Sequence, residues 1–466
     1  MHTDQIFSAS IYQQRRDQLQ KKMETGLILL LGNEESGRNF RDNWYPFRQD
    51  STFLYYAGID QPGLAMLIDA EGGHAVLFGD DLTMDDIVWT GPQPTVSDLG
   101  QSVGVSESAP LKQLPVLLQK ARQAGKPIHF LPPYRPENTT RLHYLLDISL
   151  EEVPLQASTR LIKAIVSQRS VKSAEEIAEM ETAVTISNQM HLAAIKAARP
   201  GMKEYELVAK VRAEAVAGGG DIAYPVILTI DGQTLHNHYY GNTLQEGDMV
   251  LLDAGAETAS YYAGDLTRTF PVSRKFTEGQ REAYQVVLNA YEAAVAALKP
   301  GARFLDVHLL ACETLVEGLI AMGLMQGDPK EAVAQGAHAQ FFQCGLGHMI
   351  GLDVHDMEDL GEQYVGYSDA LKKSTQFGLK SLRLGKALEP GFALTVEPGL
   401  YFIPELMDMW KSENKHADFI RYDRLDAFRE FGGIRVENNF VITEEGSRKL
   451  GEHLPITPDE VEALRE

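Results

Sequence analysis

The chain has 466 residues, room for about two to four domains, with 65 acidic against 43 basic side chains and a formal net charge of −22. That balance excludes nucleic-acid binding through a basic face, and a hydrophobic share of 44% excludes a disordered chain. No apolar run reaches the roughly 18 residues that span a bilayer, the first residues carry no apolar signal core, and Cys312 and Cys344 are the only cysteines, too few for a disulfide scaffold or Cys-based zinc fingers. The expectation is a cytoplasmic protein with neither nucleic-acid nor membrane partners.

In the first part of the chain, Leu27–Leu31, Leu64–Ile68, Ala75–Phe78 and Ile128–Leu131 read as buried strands bounded by turn signals. Leu111–Ala124 reads as a helix with Lys, Arg and Gln on its polar face. Together they predict a compact α/β domain with a mixed sheet. It has no Gly-rich phosphate loop, so nucleotide binding lacks support. Residues 151–171 read as a connector.

Ser173-Ala-Glu-Glu176 then matches a capping box, which predicts a long helix to about Ala198, stopped by Arg199-Pro200-Gly201. A second helix, Lys203–Ala217, ends at three glycines. The arrangement recurs: a helix over Glu278–Leu298, Lys299-Pro300-Gly301, and a helix over Phe304–Met322. Strand-like runs follow each pair, Ile227–Ile230 and Met249–Leu252, then Ala393–Val396 and Ile434–Val436. The repetition predicts an internally duplicated domain, with polar residues placed where two half-sheets meet.

Met249-Val-Leu-Leu-Asp253 ends an apolar strand on a carboxylate, which costs several kcal/mol if buried unpaired. Asp265, twelve residues on, faces the same way if Glu257–Tyr261 turns the chain. Taken alone, the pair serves equally well as a metal site or as an ion pair with Arg268. His348 lies in a Gly-rich apolar stretch, Glu397 at a strand end before Pro-Gly, and Glu437 inside an apolar strand two residues from Arg435, so that both share a face. Each has a structural reading: core histidine, turn residue, partner of Arg435. Together, Asp253, Asp265, His348, Glu397 and Glu437 make four carboxylates and one imidazole, which repel unless cations lie between them. Two divalent ions would balance four negative charges. The oxygen-rich set suits Mn²⁺, the expected ion, but Co²⁺, Fe²⁺ and Zn²⁺ as well, with no strong choice among them from the donors, and it points to metal-assisted hydrolysis.

At these segments the sequence resembles the pita-bread metallopeptidases, and within them the Xaa-Pro peptidases, aminopeptidase P and prolidase. Phe47-Arg-Gln-Asp-Ser-Thr-Phe53 with Gly58 and Gln61-Pro62-Gly63 is similar to the family's N-terminal domain. Asp253-Ala-Gly255, Gly264-Asp265 with Thr267-Arg268, Gly345-Leu-Gly-His348, Thr395-Val-Glu397-Pro-Gly-Leu-Tyr401 and Gly432-Gly-Ile-Arg-Val-Glu437-Asn follow its five-ligand signature in order. The resemblance implies an α/β (α+β) protein: a creatinase-like mixed-sheet domain over residues 1–160, and a pita-bread catalytic domain with pseudo-twofold duplication over 172–466. It implies that Asp253 chelates one metal, Asp265 and Glu437 bridge both, and His348 and Glu397 hold the second, Glu397 also acting as general base. His238 and His355 become the catalytic histidines, and Arg383, Arg435 and Tyr401 become substrate-binding or supporting residues. The activity implied is cleavage of short Xaa-Pro peptides, prolidase first because Arg383 matches an arginine that grips a dipeptide's carboxylate and because the inserts before Glu397 and Glu437 are prolidase-like. Aminopeptidase P is the alternative, and a non-peptidase or catalytically silent binding protein on the same fold is a further one. A homodimer or homotetramer is also implied. Two departures stand out: Cys344 occupies a position where the family usually has histidine, and the Asp253–Asp265 spacing is one residue longer than usual, which predicts an extra residue in the hairpin tip or a bulge.

Overall fold

The computed structural model describes residues 7–465, which form two compact units. The first runs to Arg169 and includes Asp359–Tyr364; the second comprises Ser170–Glu358 and Val365 onward.

The first unit is built on a five-stranded mixed sheet, in the order Glu107–Ala109, Ala75–Phe78, Ala65–Asp69, Leu27–Leu31, Ile128–His129. Its three central strands run antiparallel, and each edge strand pairs parallel to its neighbour. Leu27, Leu29, Ala65, Leu67 and Phe78 pack on Leu114, Leu118, Leu142 and Leu146 of two helices. Ile28, Leu30, Met66 and Ile68 are buried as well, so both faces of the sheet are covered. That is why these strands read as continuous apolar runs with no alternation. Helix Leu114–Gln123 is preceded by a 3₁₀ turn at Leu111–Gln113, because Pro115 has no N–H and fits only in the first turn.

Residues 151–171, expected to be a connector, contain helix Thr159–Arg169, which buries Leu161, Ile162, Ile165 and Val166 and packs against helix Ala9–Met23. Tyr56 donates to Gln168 at 3.0 Å and Arg169 to Thr52 at 2.9 Å, so this helix is part of the first unit's core.

The second unit has the expected duplication. Helices Ala174–Ala197 and Glu204–Ala217 pack together, as do Glu278–Ala297 and Phe304–Ala321. Ser173 and Glu176 form the capping box read from the sequence. The two Pro-Gly stops are structurally equivalent. Gly201 and Gly301 take φ of +89° and +81°, where a side chain is disfavoured. Gly201 N–H donates to Leu244 O and Gly301 N–H to Leu388 O, both at 2.8 Å; Leu244 and Leu388 answer to the carbonyls of Met202 and Ala302.

Each half contributes an antiparallel three-stranded sheet. In one, Met249–Ala254 lies between Ile227–Thr229 and Leu266–Pro271; in the other, Asn438–Ile442 lies between Ala393–Val396 and Ser447–Lys449. A bridge between Thr267 and Glu437 joins the halves. Among the described residues, no helix is long and apolar enough to cross a membrane.

Candidate metal centre

The Asp253–Asp265 hairpin keeps one register from Met249–Pro271 through Ala254–Leu266 to the Glu257–Ala263 bridge. There is no bulge, so the extra residue sits in the tip, where Tyr261 turns the chain at φ +66°. This register sets Gly255 across from Asp265, and Asp253, two residues before Gly255, shares its face. Only glycine fits at 255: a Cβ there would lie 1.8 Å from the Gly264 carbonyl oxygen. The Tyr224 hydroxyl sits between the two carboxylates, 2.6 Å from Asp253 Oδ1 and 2.5 Å from Asp265 Oδ1, and its single proton serves one of them at a time.

The second half brings the other three residues. Glu397 falls between strands Ala393–Val396 and Gly399–Tyr401. Glu437 is not inside a strand, as the apolar run suggested, but at the break between Gly433–Arg435 and Asn438–Ile442. There the chain leaves one sheet for another, and the break turns Glu437 toward Thr267, which donates to its Oε2 at 2.6 Å. Nδ1 of His348 lies 3.0 Å from its own neighbour's carbonyl, Met349 O, and therefore carries the proton. Its Nε2 faces Asp265 Oδ2 at 3.3 Å and Glu397 Oε1 at 3.5 Å, the nitrogen left either to pair with these carboxylates or to join them around a cation.

The electrostatics agree. Burial, with Asp265 and Arg435 as further influences, pushes Glu397 up to about 8. Burial and the neighbouring carboxylates push Glu437 well above the usual range, and its Oε1 has no hydrogen-bond partner. Burial also raises Asp253, against the opposing pull of Arg435. Asp265 alone is lowered, because hydrogen bonding and charge from His348 outweigh its burial. One oxygen each of Asp265 and Glu437 and one nitrogen of His348 lie within 4.8 Å of one another. Oxygen donors with an imidazole, one buried oxygen unpartnered, form a set that divalent cations fit.

The cluster lines a cavity of about 210 Å³ together with His236, His238, His355, Arg383, Arg435 and Cys344. His355 packs edge-on against His348, with ring centroids 4.4 Å apart. Arg435 donates to Asp253 Oδ2 at 2.5 Å, Tyr401 OH at 2.9 Å and Thr267 Oγ1 at 3.1 Å, so its partner is Asp253 and not Glu437. Tyr401 is fully buried and absent from the cavity wall; it holds Arg435 and has no surface to offer a substrate. The alternative ion pair between the hairpin aspartates and Arg268 is overturned. Arg268 is fully buried and donates to the carbonyls of Pro455, Thr267, Glu437 and Leu454 and to Asn438 Oδ1. Burial, then Glu397, pushes the Cys344 thiol up to about 12, so it stays protonated where the family's histidine would titrate.

Three site residues escaped the sequence reading: Tyr224, His236 and Glu358. Burial lowers His236, while the Asp253 charge works in the opposite direction. It lies in the turn just before His238, where no spacing rule of regular structure announces it.

A duplicated α/β unit that converges four carboxylates and an imidazole on one cavity belongs to the metallohydrolases. Comparison with known proteins narrows this. Residues 178–444 match metallopeptidase family M24 and residues 12–129 match the aminopeptidase P N-terminal domain, and the chain belongs to that family. It is 32% identical to the human Xaa-Pro dipeptidase over 94% of this chain and 88% of the relative. It is also 32% identical to the Xaa-Pro aminopeptidase of Escherichia coli K12 over 97% of each. Among solved structures, the aminopeptidase PepP of Pseudomonas aeruginosa superimposes with a TM-score of 0.80 at 28% identity, covering 98% of both chains. Zn-substituted E. coli aminopeptidase P in complex with product does so with 0.80 at 30% identity and the same coverage.

Proposed function

We propose that this protein is a dinuclear-metal Xaa-Pro peptidase, a prolidase first. The observation that carries the hydrolytic reading is the convergence of His348 Nε2 on Asp265 and Glu397 beside the unpartnered Glu437 oxygen. Asp253 would hold one ion, His348 and Glu397 a second, and Asp265 and Glu437 would serve both. Mn²⁺ is the first choice for this oxygen-rich set, with Co²⁺, Fe²⁺ and Zn²⁺ as alternatives. When bound, such ions supply an activated water and polarise a carbonyl.

The protein's own groups do the rest. Glu397 accepts the proton of the attacking water, a role open to it once bound cations offset the charge crowding that raises it in the empty cluster. His238 and His355, with His236 beside them, line the cavity where they can donate to the developing oxyanion. An Xaa-Pro bond is a tertiary amide with no N–H, so its nitrogen must be protonated as it leaves; a cavity with three histidines provides for that transfer. Arg435 holds Asp253 in place, and Tyr401 holds Arg435.

Arg383 supports the prolidase reading. It lies in the cavity wall, where its guanidinium can take a dipeptide's carboxylate in a bidentate grip. Aminopeptidase P is the second reading, supported by the full-length match to the E. coli enzyme. A cytoplasmic homodimer or homotetramer is part of the proposal.

The discriminating experiment compares hydrolysis of Ala-Pro and Ala-Pro-Ala by wild type and Arg383→Ala. The expected result is a preference for Ala-Pro that falls about 10- to 100-fold in the variant, mainly through KM, with the tripeptide little affected. A preference for the tripeptide, kept in the variant, establishes the aminopeptidase reading instead.

A further inference from the structure

A second cluster of metal-binding side chains lies away from the carboxylates. His308 and Cys312 stand one turn apart on helix Phe304–Ala321, and His338 lies on the 3₁₀ turn Ala337–Gln340. One donor atom from each lies within 4.8 Å of the other two. All three residues are buried, with exposures of 0–1%. His308 Nδ1 has no hydrogen-bond partner, and neither ring nitrogen of His338 has one of ordinary geometry. Gln340, also fully buried, leaves both side-chain amide atoms unpartnered in the same short segment.

Buried polar atoms without partners are costly, and several in one place call for an explanation. We propose that His308, Cys312 and His338 form a second metal site, structural in role, for Zn²⁺. One thiolate and two imidazoles are the donors such an ion takes. The spacing fits: tetrahedral bonds of about 2.0 Å to nitrogen and 2.3 Å to sulfur would hold the two donors about 3.5 Å apart. His308 Nε2 and Cys312 Sγ are separated by 3.5 Å. Burial holds His308 down to about 3 and His338 to about 4, so both imidazoles keep their lone pairs at neutral pH. The Cys312 thiol, which burial pushes well up, would lose its proton on binding, as metal-coordinated thiols do.

The site has a structural use. His338 begins the stretch that continues through Cys344 to Gly345-Leu-Gly-His348, the loop that delivers His348 to the carboxylates. A cation bound here would tie helix Phe304–Ala321 to this stretch and fix it from behind.

The test uses the full-length protein, stripped of metal and titrated with Co²⁺ alone. Thiolate coordination gives a near-ultraviolet charge-transfer band that carboxylate and imidazole ligation cannot, so the readout is independent of the catalytic centre. The expected result is one band-forming Co²⁺ per chain, bleached by one equivalent of Zn²⁺. Cys312→Ser should abolish the band with the circular dichroism spectrum unchanged, and Cys344→Ser should keep it. Absence of a band in wild type overturns the proposal, and that measurement needs no variant to fold. A band lost in Cys344→Ser and kept in Cys312→Ser overturns it too.

Discussion

The carboxylate of Glu358 accepts a hydrogen bond from Nδ1 of His355 at 2.6 Å. Its other oxygen accepts from Arg383 Nε at 3.3 Å, so one side chain orients two residues of the cavity wall. The His355 hydrogen bond and the Arg383 charge, against partial burial, hold Glu358 down at about 2. With Nδ1 committed to Glu358, His355 has Nε2 as the nitrogen left to serve the substrate side. Glu358→Gln should therefore lower kcat on Ala-Pro about 10- to 100-fold, the cost usual when a group that orients a catalytic histidine is lost. KM for the dipeptide should rise with it, because Arg383 is released. Steady-state kinetics with both parameters unchanged would show that Glu358 positions neither residue.

The raised carboxylates give the metal-free protein a pH dependence of defined sign. Glu397 titrates near 8 in the fold against 4.5 as its ordinary value, so the folded state holds a proton that the unfolded chain releases. Stability without metal should be highest below about 4.5 and fall as pH rises toward 8. Bound cations remove that dependence. Thermal midpoints of chelated and Mn²⁺-loaded protein should differ more at pH 8 than at pH 5. A gap of equal size at both pH values would contradict the charge crowding described for Glu397 and Glu437.

Gly255 is where backbone geometry meets the site. Its absent side chain lets the two aspartate-bearing strands approach, and a Cβ would meet the Gly264 carbonyl oxygen at 1.8 Å. Gly255→Ala should part the strands beside Asp265, weaken Mn²⁺ affinity and lower kcat about 100-fold, the cost expected of a displacement of about 1 Å at a catalytic group. Isothermal titration with Mn²⁺ beside the Ala-Pro assay checks this; wild-type affinity and turnover would mean the hairpin absorbs the methyl elsewhere.

Much of this was readable in the sequence, for local reasons. Ser173 and Glu176 are three residues apart, and the Pro-Gly stops act on the residues beside them, so the helices followed from neighbours alone. The ligand residues stood out because carboxylates at the ends of apolar strands need a partner. Tyr224, His236 and Glu358 did not stand out, since none breaks a local pattern. Tyr224 matters only because the fold brings it to Asp253 and Asp265, 29 and 41 residues away. The Arg268 alternative stayed open for the same reason: its partners are carbonyls up to 187 residues distant, which no spacing rule announces. Helix Thr159–Arg169 lies in a stretch expected to be a connector, although its buried Leu161, Ile162, Ile165 and Val166 keep a helical spacing.

At the C-terminal end, Glu460 accepts from the backbone N–H groups of Ile456 and Thr457 in a capping box and, despite some burial, is held down at about 2. Its contribution is present above about 4.5 and lost as pH falls toward 2. Glu460→Gln should cost about 1 kcal/mol or less at pH 7 and nothing near pH 2, because the side chain is partly exposed. Denaturant midpoints at the two pH values measure this, and an equal loss at both would refute the assignment.

The most direct test of the central claim is the Mn²⁺ content of full-length protein measured beside Ala-Pro hydrolysis, for wild type and Asp265→Asn. Mn²⁺, a hard cation, reads the carboxylate centre and not a thiolate site. The account predicts two Mn²⁺ per wild-type chain and a variant in which metal content and activity fall together. Undiminished hydrolysis by Asp265→Asn, or by wild type after complete chelation, would contradict it.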